Sequence, residues 1–600
     1  AVMSPVNGRR WRVLVASLVG LVLLSACTGL PTSNTVEPGR AVLGQPQQGV
    51  EVLPDGPEPG ADPGQIVAGF LRANVGFSDD HDVARDFLTP ELARHWRPTE
   101  RVLVYEGDVQ IVQEGPDAVE VEVEVRGTID EEGYLTEAPV DTRRSERFAM
   151  TRVDGEWRIS GFPDGFGVWL GRADFDRLYR QRSVYYLAPH RSQFVADARW
   201  FPQYTHSSGL ATALARAQLA PAPAYLAGAV RNAFPDGTDL AAAGVPVDPS
   251  TATATVDLSG LGATGSDDAV RQMWAQMTRT LLQAPGVNRV SLQSGGRVLS
   301  TTDIEQTLAD PGQLGFTAPN ASTPFALLRV RNELTLVDPA HFSLRAYQPP
   351  PGERNPELPT VPVQWTNLAA SPSVQDLAAV SFDRTELGRW RDGQHRVMPG
   401  IGSELTPPSY DRSGGLWIAG RSVSGPKVWV VDTSVPLARA VARPVDTPWL
   451  DERTQIVQFQ VSPDDTRAVL HLRDRMTNAE RLALAGIVRD RNGVPSALTV
   501  PEEVAPTIRS VTSLQWISAD RMVVLGQREE DSSVVPLLVP LGGWVEAMPA
   551  VDSAVAVRAA AGPEGEDTLL VLTEQGRIYT PEGSTWQTYR NGDDLVVPGF

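Results

Sequence analysis

Few residues in this 600-residue chain are of a type that does chemistry, and the most telling is its single cysteine. Cys27 closes the run Leu24-Ser25-Ala26-Cys27, in which two small side chains leave the backbone ahead of the thiol open to a peptidase. The thiol can take a diacylglyceryl group on sulfur, and cleavage between Ala26 and Cys27 then frees an amine for a further acyl chain. Leu24, Ser25, Ala26 and Cys27 therefore read as a lipobox. A lone cysteine is ordinarily a small buried hydrophobe, but this one stands at the position where lipidation requires it. Several acyl chains, at roughly 0.8 kcal/mol per buried CH₂, give a stable anchor where one gives a marginal hold.

The other candidates are weaker. No two of the seven histidines (His81, His95, His190, His206, His341, His395 and His471) have the i,i+4 spacing of a helical metal site, and no second cysteine exists. The sequence has no HExxH, no Gly-x-Ser-x-Gly elbow and no phosphate-binding Gly-rich loop. Gly165-Phe166-Gly167 reads as a turn before Val168-Trp169. Asp130-Glu131-Glu132 beside Gly133 reads as a solvated hairpin tip, and Glu120, Glu122 and Glu124 as the wet face of a strand. No catalytic residue, metal site or cofactor is assigned. Only carboxylates brought together from distant segments would escape this reading.

The elements around Cys27 fit its role. Arg9, Arg10 and Arg12 precede an apolar run from Val13 to Leu24, too short for the roughly 20 residues that span a bilayer but suited to a secretory leader. Residues 1–26 are thus expected to be a lipoprotein signal peptide. Residues 27–60 are expected to be the lipidated Cys27 and a flexible tether, rich in Pro, Gly, Gln and Glu. The formal charge of −20 argues against nucleic acid as a partner, because phosphate neutralisation needs clustered cations.

Three folded units follow. In residues 61–175, Asp62-Pro63 caps a helix carrying Ile66, Phe70 and Ala73, and a second helix is expected near Val83 to Trp96. Val119, Val121, Val123 and Val125 then alternate with polar residues, and Asp154-Gly155 turns into a final strand from Glu156. This order resembles an NTF2-like or cystatin-like α+β domain. Residues 183–305 are read as an α/β unit: strands at Ser183–Ala188 and Phe194–Phe201, a helix at Ser208–Leu219, a strand at Thr251–Leu258, and a helix capped by Ser266. Val270, Met273, Trp274, Met277 and Leu281 form that helix's core stripe. Residues 325–600 hold short strands in loose repeats at Leu377–Ser381, Pro408–Asp411, Phe459–Asp465 and Leu514–Ser518, which predicts an all-β propeller of about six blades.

The helix Arg271–Gln283 leading into Ala284-Pro285-Gly286-Val287-Asn288-Arg289-Val290 resembles the GerMN module of sporulation and spore-germination proteins. So do Phe234-Pro235-Asp236-Gly237-Thr238 and Thr255-Val256-Asp257-Leu258-Ser259. Lipobox, α+β domain, GerMN module and propeller, in that order, resemble the actinobacterial lipoprotein LpqB family over nearly the whole chain. Leu24 to Cys27, the GerMN segments and Ser462-Pro463-Asp464-Asp465 carry most of that resemblance. It implies a non-enzymatic lipoprotein on the outer face of the cytoplasmic membrane, accessory to an MtrAB-type two-component system in cell-envelope homeostasis and division. The implied partners are the cell membrane, through the lipid anchor, and the extracytoplasmic domain of an MtrB-like sensor histidine kinase. The competing readings are an envelope-associated propeller hydrolase acting on glycan or lactone, and a passive envelope scaffold.

Overall fold

The first helix starts as its sequence demands. Asp62 accepts from the Gln65 amide at 2.8 Å while Gln65 accepts from the Asp62 amide at 2.9 Å, a reciprocal cap ahead of Pro63–Ala73. The computed structural model describes residues 54–600 except 77–80, 205, 263–265, 320–322, 324, 340–344, 530–532 and 562–566. The expected signal peptide, Leu24, Ser25, Ala26, Cys27, the tether through residue 53 and His341 lie outside the described residues.

The second helix departs from expectation. It is two short helices, Asp82–Arg85 and Pro90–His95. Between them the chain joins a sheet edge, where the Thr89 amide donates to Ile159 O and the Ile159 amide to Phe87 O, both at 2.9 Å. Thr89 then caps the new helix, and Pro90, lacking an N–H, begins it.

The sheet beneath comprises β1 (Arg101–Gln113), β2 (Ala118–Asp130), β3 (Leu135–Glu137), β4 (Arg143–Val153), β5 (Glu156–Gly161) and β6 (Val168–Gly171). Its order is β5-β4-β2-β1-β6, with β3 pairing the far end of β2. The four alternating valines of β2 are buried on Phe70, Phe148 and Trp96. Glu156–Gly161 is not the last strand, because β6 adds parallel to β1 at the opposite edge.

A short helix, Arg172–Leu178, leads into β7 (Tyr179–Leu187) and β8 (Phe194–Pro202). These pair with each other as a separate two-stranded ribbon and do not join the next sheet. That sheet is centred on two parallel strands, Thr253–Ser259 and Arg289–Ser294, connected by the helix Asp267–Leu281. Ser266 caps this helix, and its five-residue stripe is buried as expected.

The remaining chain forms, among the described residues, six four-stranded antiparallel sheets, one with an extra strand. They are blades one to six, counted from Ala326. The C-terminal strand Asp594–Val596 supplies the first strand of blade one by pairing with Ala326–Val330, so the last chain segment closes the ring. The loose repeats prove unequal. Ser409–Tyr410, Phe459–Val461 and Leu514–Ser518 lie in first strands, whereas Leu377–Ser381 lies in the second strand of blade two. Both positions are buried on two sides, so both read as short apolar runs.

Candidate functional site

The carboxylates of Asp130-Glu131-Glu132 are exposed at the tip, as expected, while the adjoining Gly133 makes a domain contact. Gly133, at φ +91°, lies so close to β8 that a Cβ there would sit 2.7 Å from Trp200 O, and its carbonyl accepts from the Trp200 amide at 2.8 Å. Next to it the Tyr134 hydroxyl donates to Asp197 Oδ2 at 2.7 Å. Burial, and then the Asp197 charge, push the Tyr134 hydroxyl well above its usual range, so it stays a donor.

Strand alternation explains the rest of this cluster. Asp197 and Arg199, two apart on β8, share one buried face and pair at 2.9 Å. Arg199 also donates to the Tyr186 hydroxyl at 2.9 Å. From the propeller, Arg467 reaches the carbonyl of Ala196 at 2.8 Å and the Tyr225 hydroxyl at 3.2 Å. The Ser462-Pro463-Asp464-Asp465 turn holds that arginine. Asp464 pairs with Arg467 at 2.9 Å and accepts from the Ser462 and Thr466 hydroxyls, each at 2.6 Å. Burial alone would raise the Asp464 pKa, but Arg467 and the hydroxyls outweigh it and hold it below the usual range. Asp465 pairs with Arg191 at 3.0 Å. Burial and the nearby Asp411 push its carboxyl up to about 6.

A second set of contacts fixes the first domain to blade five. Glu137 accepts from the Val545 amide at 2.9 Å and the Thr507 hydroxyl at 3.2 Å, and burial raises its pKa. Trp544 is buried beneath the Arg172 guanidinium, 4.3 Å from its ring centroid, and against Gly127, where a Cβ would come within 3.0 Å of the ring. Trp200 donates to Gly542 O at 2.7 Å and Gln181 to Leu541 O at 2.8 Å. Beside them a cleft of about 660 Å³ opens, lined by Gln181, Arg182, Gln283, Arg521 and Glu546 among others.

The propeller centre holds a cavity of about 150 Å³ whose polar lining includes Asn367, Gln458, Gln460, Gln515 and Arg558, with Phe600 against it. Among the described residues no Asp, Glu or His side chain lines it. Its polar groups stitch neighbouring blades: Gln458 donates to Thr512 O, Gln515 to Ala559 O and Arg558 to Leu595 O, each at 2.8 Å.

The described histidines are scattered. His95 bonds its own helix through Glu91 O, His395 stacks on Trp390, and His471 lies 3.0 Å from Glu480, with burial holding its imidazole below the usual range. Among the described residues no group of three or more His, Cys, Asp or Glu is placed to hold a metal, and no helix is long and apolar enough to cross a membrane. In the β2 row, Glu122 pairs with Arg143 at 3.0 Å and Glu120 accepts from the Ser145 hydroxyl.

Three family models match the chain in tandem. They are "Lipoprotein LpqB, N-terminal domain" over residues 56–176, "Sporulation and spore germination" over 183–300, and "Lipoprotein LpqB beta-propeller domain" over 356–599. The Lipoprotein LpqB of Streptomyces coelicolor is 31% identical, with 99% of each chain covered. That of Thermobifida fusca is 27% identical over 87% of this chain and 88% of the relative. Among solved structures, the tandem GerMN domains of the sporulation protein GerM from Bacillus subtilis are 17% identical, covering 28% of this chain and 63% of that one, with a TM-score of 0.18. The expected fold class, a multidomain chain with a GerMN-type module and a C-terminal propeller, agrees with these matches.

Proposed function

The chain belongs to the Lipoprotein LpqB family, and on that premise we propose that it is an extracytoplasmic binding protein, anchored through lipid on Cys27 to the outer face of the cytoplasmic membrane. The observation that carries this reading is the lone cysteine at the end of Leu24-Ser25-Ala26-Cys27, behind a basic and then apolar leader. Its partner on this reading is the extracytoplasmic domain of an MtrB-like sensor kinase, through which it modulates envelope homeostasis and division. In physical terms the protein biases that kinase by binding one of its states better than the other.

Two features support binding over turnover. A glycan hydrolase needs two carboxylates facing a space for substrate, and the propeller centre is instead lined by amides, hydroxyls and one arginine already bonded to adjacent strands. The three folded units are also tied together by buried charged contacts at Asp197, Arg199 and Arg467. Such a body can pass a load or an orientation from one surface to another.

Titration calorimetry of the mature chain against the extracytoplasmic domain of its cognate sensor kinase tests this function. Saturable binding is the expected result. Absence of binding at high micromolar concentration would remove the kinase partner and favour a passive scaffold.

A further inference from the structure

The hairpin between second and third strands occurs in every blade, and in every blade it meets the segment by which the chain enters that blade or the next pairing. The Phe382 amide donates to Gln364 O at 2.9 Å, Ser403 to Arg421 O at 2.8 Å and Arg475 to Arg453 O at 2.8 Å. The Glu529 amide donates to Thr507 O at 3.2 Å, the Glu574 amide to Ser553 O at 3.0 Å, and the Arg331 amide to the Asp593 carboxylate. A chain that reverses at each hairpin puts all six of these tips on one face of the ring.

The six tips are not alike. Those of blades one to four each present an exposed apolar side chain: Val330 (49% exposed), Phe382 (82%), Val423 (fully exposed) and Met476 (75%). The tips of blades five and six present the exposed acids Glu529 and Glu574 among their described residues. Each apolar tip also has an arginine within two residues: Arg331, Arg384, Arg421 and Arg475. Three of these are already engaged, Arg421 with Glu452, Arg475 with Glu404, and Arg384 with the carbonyls of Glu404 and Leu405. The same tips carry the exposed acids Glu333, Asp383 and Glu386, so each apolar point stands among charges of both signs.

We propose that this four-blade sector rests on the outer surface of the bilayer, with Val330, Phe382, Val423 and Met476 entering its interfacial layer. The inference depends on the lipid-anchor reading above. A rigid protein partner would need four separately matched pockets for these projecting points, whereas a bilayer accepts apolar points wherever they fall. Reach is not limiting. The roughly 27 residues from Cys27 to the first described residue span at most about 90 Å, against a radius of gyration of roughly 24 Å for a folded body of about 550 residues.

The test uses the full lipidated chain in vesicles of phosphatidylglycerol and phosphatidylethanolamine. With Cys27 acylated, Met476→Cys supplies the only free thiol for an environment-sensitive fluorophore, and Gln575→Cys in blade six is the control. At position 476 the expected result is blue-shifted emission quenched about twofold or more by nitroxide-labelled lipid, with neither effect at 575. Equal water exposure at both positions, in protein that floats with the vesicles, overturns the proposal and leaves the anchor standing. Protection of 476 only after addition of the sensor domain overturns it in favour of a protein occupant. Protein that does not float and carries no lipid on Cys27 overturns the anchor reading, and this inference with it.

Discussion

On one face of the propeller, turns from blades four and five meet the preceding domains through Arg467, Asp465, Gly493 and Gly542; on the other, blades one to four end in Val330, Phe382, Val423 and Met476, all open to solvent. Both faces are built from hairpins of the same antiparallel sheets, so backbone geometry does not explain the contrast. The covered face uses paired charge: Asp464 has Arg467 and two hydroxyls, and Asp197 has Arg199 and Tyr134. Buried charge tolerates no misfit, so such contacts fix one docking arrangement. The open face uses apolar side chains that need no matched partner.

The comparison breaks most readily at Arg467. Arg467→Met strips the buried Asp464 of its counter-charge and Ala196 O of its donor, and should cost about 3–5 kcal/mol in denaturant unfolding of the full chain. A cost below about 1 kcal/mol would mean that the charged turn is not what secures the covered face. Trp544→Ala, which empties the pocket between the first domain and blade five, should cost about 3 kcal/mol and expose the segment around Leu541 to protease.

Asp465 gives a pH signature to the covered face alone. Folding holds its proton to a higher pH than the unfolded chain does. Its stabilising contribution is therefore full below the ordinary aspartate range and is lost as pH rises through about 6. Asp465→Asn should flatten that part of the stability profile, and an unchanged profile would show the group titrating normally. The smallest effect belongs to the open face. Phe382→Ser, Val423→Ser and Met476→Ser together should change stability in solution by no more than about 0.5 kcal/mol per site, and a larger loss would show that the tips are packed rather than presented.

Much of the local structure was legible in sequence because its causes are local. Asp62 and Ser266 sit where a cap must sit, the β2 valines alternate, and Val270 to Leu281 mark one side of a helix. What was missed depends on distant partners. The break at Leu88 needs Ile159 beside it, β6 needs the free edge of β1, and the contact of Gly133 with Trp200 needs β8 laid against it. Glu137 bonds Val545 across 408 positions, which no spacing rule reveals. Cys27 is the opposite case. The lipid anchor proposed for it is read from four consecutive residues and needs no distant partner.

The central claim, that Cys27 ties this protein to a membrane, is tested most directly by the intact mass of the protein recovered from the membrane fraction of cells making the whole chain. The expected species is a mature chain beginning at Cys27 with a diacylglyceryl group on sulfur and a further acyl chain on the amine. A chain that retains residues 1–26 and carries an unmodified thiol at Cys27 would contradict it.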